Sequence, residues 1–429
     1  MHTAERMKFD AVIIGAGPAG SAAAILLARA GWVVALVERQ RFPRRKVCGE
    51  CIAASNLPLL EALGVADAVQ ARAGPELRQV LLLRGDRAVC ADLPAADHPR
   101  YPWGRALGRE TLDSLLLEQA RMAGAEILQP WSAESILGRA GAWHCELRGV
   151  DSGARLCLRT PLLIDAHGAW EDLPSAAAKR RAARSAADLF AFKANFVGTA
   201  LSEGAIRVLA LDGGYGGMVI AEAGMATVAC CIRRDRLSAL RADAPGQRAS
   251  EVIQAWLKRD CGALRQALHH ALRDGPWLAC GPLDPGLRLQ ATDEIFRIGN
   301  AAGEAHPILG EGISMALQSA ALLCSHLLGG EAAALAPASA PQAALQRRYV
   351  ADWRHEFLPR LRVAAAFAHV AMRPRAAAAL MSAVQAWPGL LTHGARWGGK
   401  VRQPDACAMS SSTGHLNRGT ATAFFSQNH

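Results

Sequence analysis

The residues best placed to do chemistry in this 429-residue chain fall in two glycine-rich segments and in the loop that follows the first. The first segment, DAVIIGAGPAGSAAAILLARAGWVVALVER, carries a complete G-x-G-x-x-G at Gly15, Gly17 and Gly20, with Pro18 and Ala19 inside it. Gly15 permits a tight turn, Gly17 lets the backbone approach a pyrophosphate, and Gly20 lets a helix pack closely on a strand. Glu38 follows Gly20 by eighteen residues, where a carboxylate takes adenosine ribose hydroxyls, and Arg39 stands beside it. Beyond it, Cys48 and Cys51 form a C-x-x-C that invites a dithiol reading. A flavin disulfide reductase also needs a nicotinamide domain with its own glycine fingerprint. No second G-x-G-x-x-G follows; GGYGG (Gly213–Gly217) lacks the spacing and the helix. A structural zinc site would need another regularly spaced ligand pair, so no metal is expected. Glu50, Glu304 and His306 are the ionisable residues expected to reach a pocket as acid or base.

Those residues need elements to hold them. Ala11–Ile14 reads as a buried strand, Ser21–Ala30 as an Ala-rich helix ended by Gly31, and Trp32–Val37 as a second strand closing on Glu38. The helix start offers free N–H groups and a positive dipole end to phosphates. The uncharged run Ala11–Ala28 has the length of a membrane span, but its glycines and Pro18 would break one, so no transmembrane helix is expected. The second glycine segment, EIFRIGNAAGEAHPILGEGISMALQSAALL (Glu294–Leu323), reads as a short strand, a Gly/Pro loop and an apolar helix. Between the two lie GRETLDSLLLEQARMAGAEI, an amphipathic helix opening at Arg109 and leading to a strand, and LLIDAHGAWE, a strand ending at His167 and Gly168. At that strand end His167 reads either as a polar terminus or as a catalytic histidine.

In their order along the chain, these segments resemble the FAD-binding fold shared by aromatic hydroxylases (class A flavoprotein monooxygenases) and geranylgeranyl reductases. That family usually shows G-D-A-A-H-x-x-x-P-x-x-G-x-G in the second segment. This chain keeps Gly299, Ala301, Ala302, Pro307, Gly310 and Gly312, with Ile313 following, and has Asn300 where Asp is usual. The resemblance implies FAD bound by the glycine turn and Glu38, by Arg109 near the ribityl and phosphates, by Gly168, and by the second glycine pair at the flavin pyrimidine. The stretch ERQRFPRRKVCGEC resembles an F-P-R-x-K-x-C-G subset of the family. It implies Cys48 and Gly49 at the isoalloxazine, and Arg45 and Lys46 near the pyrophosphate or an incoming reductant. Halogenases share the fold, but their characteristic lysine and W-x-W-x-I-P strand are missing: no Lys lies between Lys46 and Lys179. The expected reaction is hydroxylation of an aromatic or unsaturated biosynthetic intermediate, small or peptide-borne, with NAD(P)H reducing the FAD and a flavin C4a-hydroperoxide transferring oxygen. The alternatives are a flavin ene-reductase of the geranylgeranyl reductase type and a non-catalytic flavin/thiol redox sensor. The region Gly213–Ile232 lacks the Y-x-W-x-F-P segment usual in geranylgeranyl reductases, which favours hydroxylation.

Composition narrows the rest. A hydrophobic share of 51% against 20% charged excludes a disordered polar chain. The net charge of +10 comes almost wholly from arginine, without interleaved aromatics, so no nucleic-acid partner is expected. Eleven irregularly spaced cysteines fit reduced thiols in the cytoplasm. The expected fold class is α/β. A discontinuous Rossmann-like FAD domain (1–74, 103–170 and 278–329) joins an antiparallel-sheet substrate domain (75–102 and 171–277). A helical region (330–408) and a disordered tail (409–429) follow. KRRAAR (Lys179–Arg184) reads as a solvated face and Gly329–Ala344 as a link. From Leu345 to about Ala383 the pattern is helical. Its arginines, with Trp387 and Trp397, suit peripheral membrane contact less well than a cap packed on the FAD domain.

Overall fold

The computed structural model describes residues 6–169, 173–174, 185–289, 294–330 and 339–397; KRRAAR and the tail lie outside them. Ala11–Ile14, Val34–Val37 and Leu162–Asp165 are buried at every position, as strands covered on both faces must be. With Glu126–Leu128 and Phe296–Arg297 they form a five-stranded sheet, parallel throughout, in the order Phe296–Arg297, Leu162–Asp165, Ala11–Ile14, Val34–Val37, Glu126–Leu128. Its core is shared by the helices Pro18–Arg29, Arg109–Met122 and Gly312–Gly329. A four-stranded sheet built on Trp131–Arg139, Ala142–Gly149 and Arg155–Thr160, with Arg6–Lys8 at its edge, packs beside it.

A second, seven-stranded sheet runs in the order Leu272–Leu283, Leu189–Val197, Ala226–Arg233, Gly214–Ile220, Ala205–Leu211, Gln79–Arg84, Arg87–Asp92. All its pairs are antiparallel except Ala205–Leu211 with Gln79–Arg84. The strand Leu272–Leu283 crosses the domain boundary expected between 277 and 278, because backbone pairing to Leu189–Val197 continues through Leu283. Alternation along Leu189–Val197 sends Phe192, Ala194 and Phe196 into a core with the helix Ala249–Asp260, and Ala191, Lys193 and Asn195 to the opposite face.

The run Ala11–Ala28 is a buried strand, turn and helix. Among the described residues one helix, Gly312–Gly329, has the length and apolarity of a membrane span, and 72% of it is buried inside the fold. The helix Ser339–Ala371 lies on it, inserting Tyr349, Trp353 and Phe357. A buried hydrogen-bonded chain fixes the contact: Arg360 to Gln318 at 2.7 Å, Gln318 to Asn56 at 3.1 Å, and Asn56 to Ser314 at 2.7 Å. Pro374, compatible with a helix's first turn, opens Pro374–Ala386, and Gly389–Trp397 follows.

Candidate functional site

The first strand ends at Gly15 with φ +103°, where a Cβ would lie 2.6 Å from the Ala166 carbonyl oxygen. A Cβ on Gly20 would stand 1.8 Å from the Gly15 carbonyl oxygen. Gly17 differs: its Cβ would meet only an Arg109 terminal nitrogen, 3.8 Å away. The protein's own packing demands the outer glycines, and the middle one faces open space. The helix Pro18–Arg29 points its start into that space without a side-chain cap or a first-turn acid. Its free N–H groups suit an anion.

Cations gather at the same place. Glu38 is buried at the strand end, accepting from the Ala16 N–H at 3.0 Å and the Gln40 N–H at 2.8 Å. Arg44 approaches it at 3.3 Å and stacks on Phe42. Arg109 makes a bidentate pair with the fully buried Asp113, at 2.7 and 2.8 Å. Burial pulls the Arg109 pKa down, but the Asp113 carboxylate outweighs it and the net direction is upward. Burial lowers Arg44, and brings Lys46 down to about 8 with help from Arg44 and Arg109. Three cations thus meet two carboxylates, an excess that a diphosphate would offset. Open space at Gly17, uncapped N–H groups and surplus positive charge together fit a dinucleotide.

These residues open on a chamber of about 810 Å³. It takes in Gly15, Gly17, Pro18, Ala19, Glu38, Arg39, Lys46, Cys48, Gly49, Arg109 and Gly168, and from the second segment Gly299, Asn300, Pro307, Gly310, Gly312 and Ile313. Gly49, Gly168 and Gly312 each have nothing within 4 Å of where a Cβ would stand. Asn300 donates through Nδ2 to Glu304 at 3.5 Å, and Arg288 binds both the Asn300 carbonyl and the Glu304 carboxylate. An aspartate there would repel Glu304; the amide donates to it instead. Towards the second sheet the lining turns apolar, with Val80, Leu82, Ile206 and Val208 facing Leu380, Val384, Leu390 and Leu391.

Four expected site residues stand elsewhere or do something else. Arg45 is outside the chamber lining, drawn away by ion pairs to Glu110 at 2.9 Å and Asp274 at 2.7 Å. Gly20 is inside the helix–turn contact and does not line the chamber. His306 also falls outside the lining, 3.4 Å from the Tyr215 hydroxyl and edge-to-face with His369. Burial, then His369, lowers its pKa to about 4, so it is neutral near pH 7 and poorly suited to acid–base work. Glu50 does line the chamber, but its carboxylate is held by Lys193, Thr227 and the Arg109 N–H. Both of its carboxylate oxygens are thus occupied within the protein. His167 is tied to Asp165, which Arg297 also approaches at 3.3 Å, an anchored strand end. Cys48 and Cys51 are not joined in a disulfide, and Cys48 lies half-buried at the lining. Sequence reasoning passed over Arg44, Asp113 and Lys193. Only Asp113 had a local signal, its i, i+4 spacing from Arg109.

The sequence profile of the FAD binding domain family matches residues 8–260, and the chain belongs to that family. It is a flavoprotein whose cofactor is FAD. The chain is 36% identical over 118 residues to the tryptophan 2-halogenase of Chondromyces crocatus, a match taking in 28% of this chain and 22% of that relative. It therefore spans less than a quarter of that relative's length. Digeranylgeranylglycerophospholipid reductase 2 of Methanopyrus kandleri is 25% identical over 360 residues, covering 82% of this chain and 83% of the relative. Among solved structures, the flavin-dependent brominase Bmp2 superposes with a TM-score of 0.72 at 16% identity, covering 95% of this chain and 98% of that one, a likeness of fold.

Proposed function

We propose that this protein is an FAD-dependent oxidoreductase of the monooxygenase type, hydroxylating an apolar aromatic or unsaturated intermediate, small or peptide-borne, with electrons from NAD(P)H. One observation carries the reading. The chamber runs from a cationic glycine turn into an aliphatic cleft, and the carboxylates lining its inner part, Glu50 and Glu304, are both ion-paired. When bound, FAD supplies the redox chemistry and the activation of oxygen. The chain's own tasks are then positional. Gly17 and the helix start would hold the diphosphate, Arg44, Lys46 and Arg109 would balance its charge, and the Gly312 helix start would offer its N–H groups to the flavin. The aliphatic walls exclude water from the reacting carbon and select substrates without charge.

A flavin ene-reductase is the second reading, favoured by the near full-length similarity to digeranylgeranylglycerophospholipid reductase 2 and by Cys48 at the chamber wall. Halogenation has the fold in its favour and lacks the tryptophan motif in this sequence. The deciding experiment mixes NAD(P)H-reduced protein with ¹⁸O₂, bromide and candidate substrates. Incorporation of ¹⁸O supports hydroxylation. Substrate reduction under anaerobic conditions without oxygen uptake overturns it in favour of the reductase, and a brominated product overturns both.

A further inference from the structure

The sheet face turned towards the chamber carries Val80, Leu82, Val208 and the Tyr215 ring, and at one corner a polar cluster. There Lys193 and Asn195 lie two residues apart on one strand, and Thr227 pairs with Asn195 across the ladder. All three are buried, with Lys193 only 2% exposed. Into this corner the loop after the first βαβ unit inserts Glu50, itself 2% exposed.

Every polar atom of Glu50 is used. Lys193 Nζ donates to Oε1, Thr227 Oγ1 to Oε2, and the Arg109 N–H to Oε1 at 3.1 Å. Its carbonyl accepts from the Leu107 N–H at 3.0 Å, and its own N–H donates to the Cys48 sulfur at 3.3 Å. Thr227 Oγ1 also lies 3.3 Å from the Asn195 amide. Glu50 holds this place at φ +61°, one of two non-glycine residues with positive φ among those described. A glutamate in left-handed backbone persists where its surroundings over-determine it. The contacts that do so come from the second sheet and from the start of the Arg109 helix, and the turn they constrain ends at a thiol on the chamber wall.

We propose that Lys193 is a positioning residue for Cys48: through Glu50 it locks the Cys48–Gly49–Glu50 turn, so that the sulfur accepts from the Glu50 N–H and faces the chamber. The second sheet thereby sets the aim and accessibility of a group on the FAD domain. The consequence for the flavin rests on the functional reading above; the positioning itself does not.

The test measures iodoacetamide alkylation of Cys48 by mass spectrometry of its peptide, in full-length protein with and without FAD. Exposed Cys90 is the internal control. The double variant Lys193→Met/Glu50→Gln removes both buried charges together, so neither is left unpaired. Thr227→Val removes one donor while keeping the ion pair and the side-chain volume. In FAD-depleted protein the Cys48 rate should fall about five-fold or more in the double variant and about two-fold in Thr227→Val, with Cys90 unchanged. Rates within about 1.5-fold of the unaltered protein in Thr227→Val, or in a folded double variant, overturn the proposal. A separate arm addresses the flavin: FAD should slow Cys48 alkylation in the unaltered protein. Absence of that protection removes Cys48 from the flavin site and leaves the comparison between variants intact.

Discussion

Lys46 shows how a single side chain is set by its surroundings. Burial and two neighbouring guanidinium groups bring its pKa to about 8, so the charge it offers a diphosphate is present at pH 7 and fades above pH 8. FAD affinity, followed by quenching of flavin fluorescence, should weaken about two- to ten-fold between pH 7 and 9. Lys46→Met should bind more weakly at pH 7 and lose that pH dependence. A variant retaining the full dependence would assign it to another group. His306 carries the opposite expectation. With a pKa near 4 and a place outside the chamber, it should give no inflection in the activity profile between pH 5 and 8. His306→Asn should change kcat/KM by less than about three-fold. A larger loss with unchanged thermal stability would return it to the mechanism.

At the scale of elements, the three glycines of the turn separate packing from binding. Gly20→Ala forces a Cβ against the Gly15 carbonyl and should cost about 3 kcal/mol or more in urea unfolding of FAD-depleted protein. Gly17→Ala meets nothing closer than 3.8 Å. It should leave that stability within about 0.5 kcal/mol while weakening FAD binding about ten-fold or more. Equal stability losses in both would mean that Gly17 is also a packing residue. The turn and its flanking elements were legible locally. The strand is a run of buried aliphatics, the helix expected from Ser21 starts three residues earlier at Pro18, and each glycine role follows from backbone sterics within a few residues. The loop after Glu38 was less legible. Arg44, Arg45 and Lys46 are consecutive cations, and no local rule tells which two turn inwards. Arg45 is drawn out by Asp274, more than two hundred residues away.

For the whole molecule, the chamber exists because the C-terminal helices close over the second sheet. Leu390 stands on the last of them and lines the aliphatic part. Leu390→Asn should raise KM for an apolar substrate about ten-fold, with the visible spectrum of bound flavin unchanged. Loss of flavin along with affinity would show that the helix supports the FAD site instead. The buried chain from Arg360 through Gln318 to Asn56 joins the cap to the FAD domain, so Arg360→Met should remove the charged donor to the buried Gln318 carbonyl. It should lower stability by about 1–3 kcal/mol, read as a shift in the urea midpoint.

The sequence by itself determined the βαβ unit, the glycine turn, the position of Glu38, the second glycine segment and an antiparallel sheet within 171–277. Each depends on periodicity or backbone geometry within one or two dozen residues. The tertiary structure alone decided which ionisable groups are free to act. Glu50 looked like a base until Lys193, 143 positions later, paired with it, and His306 looked like one until burial beside Tyr215 and His369 discharged it. A side chain's charge and aim depend on what surrounds it in space, and those neighbours arrive only when distant segments fold together.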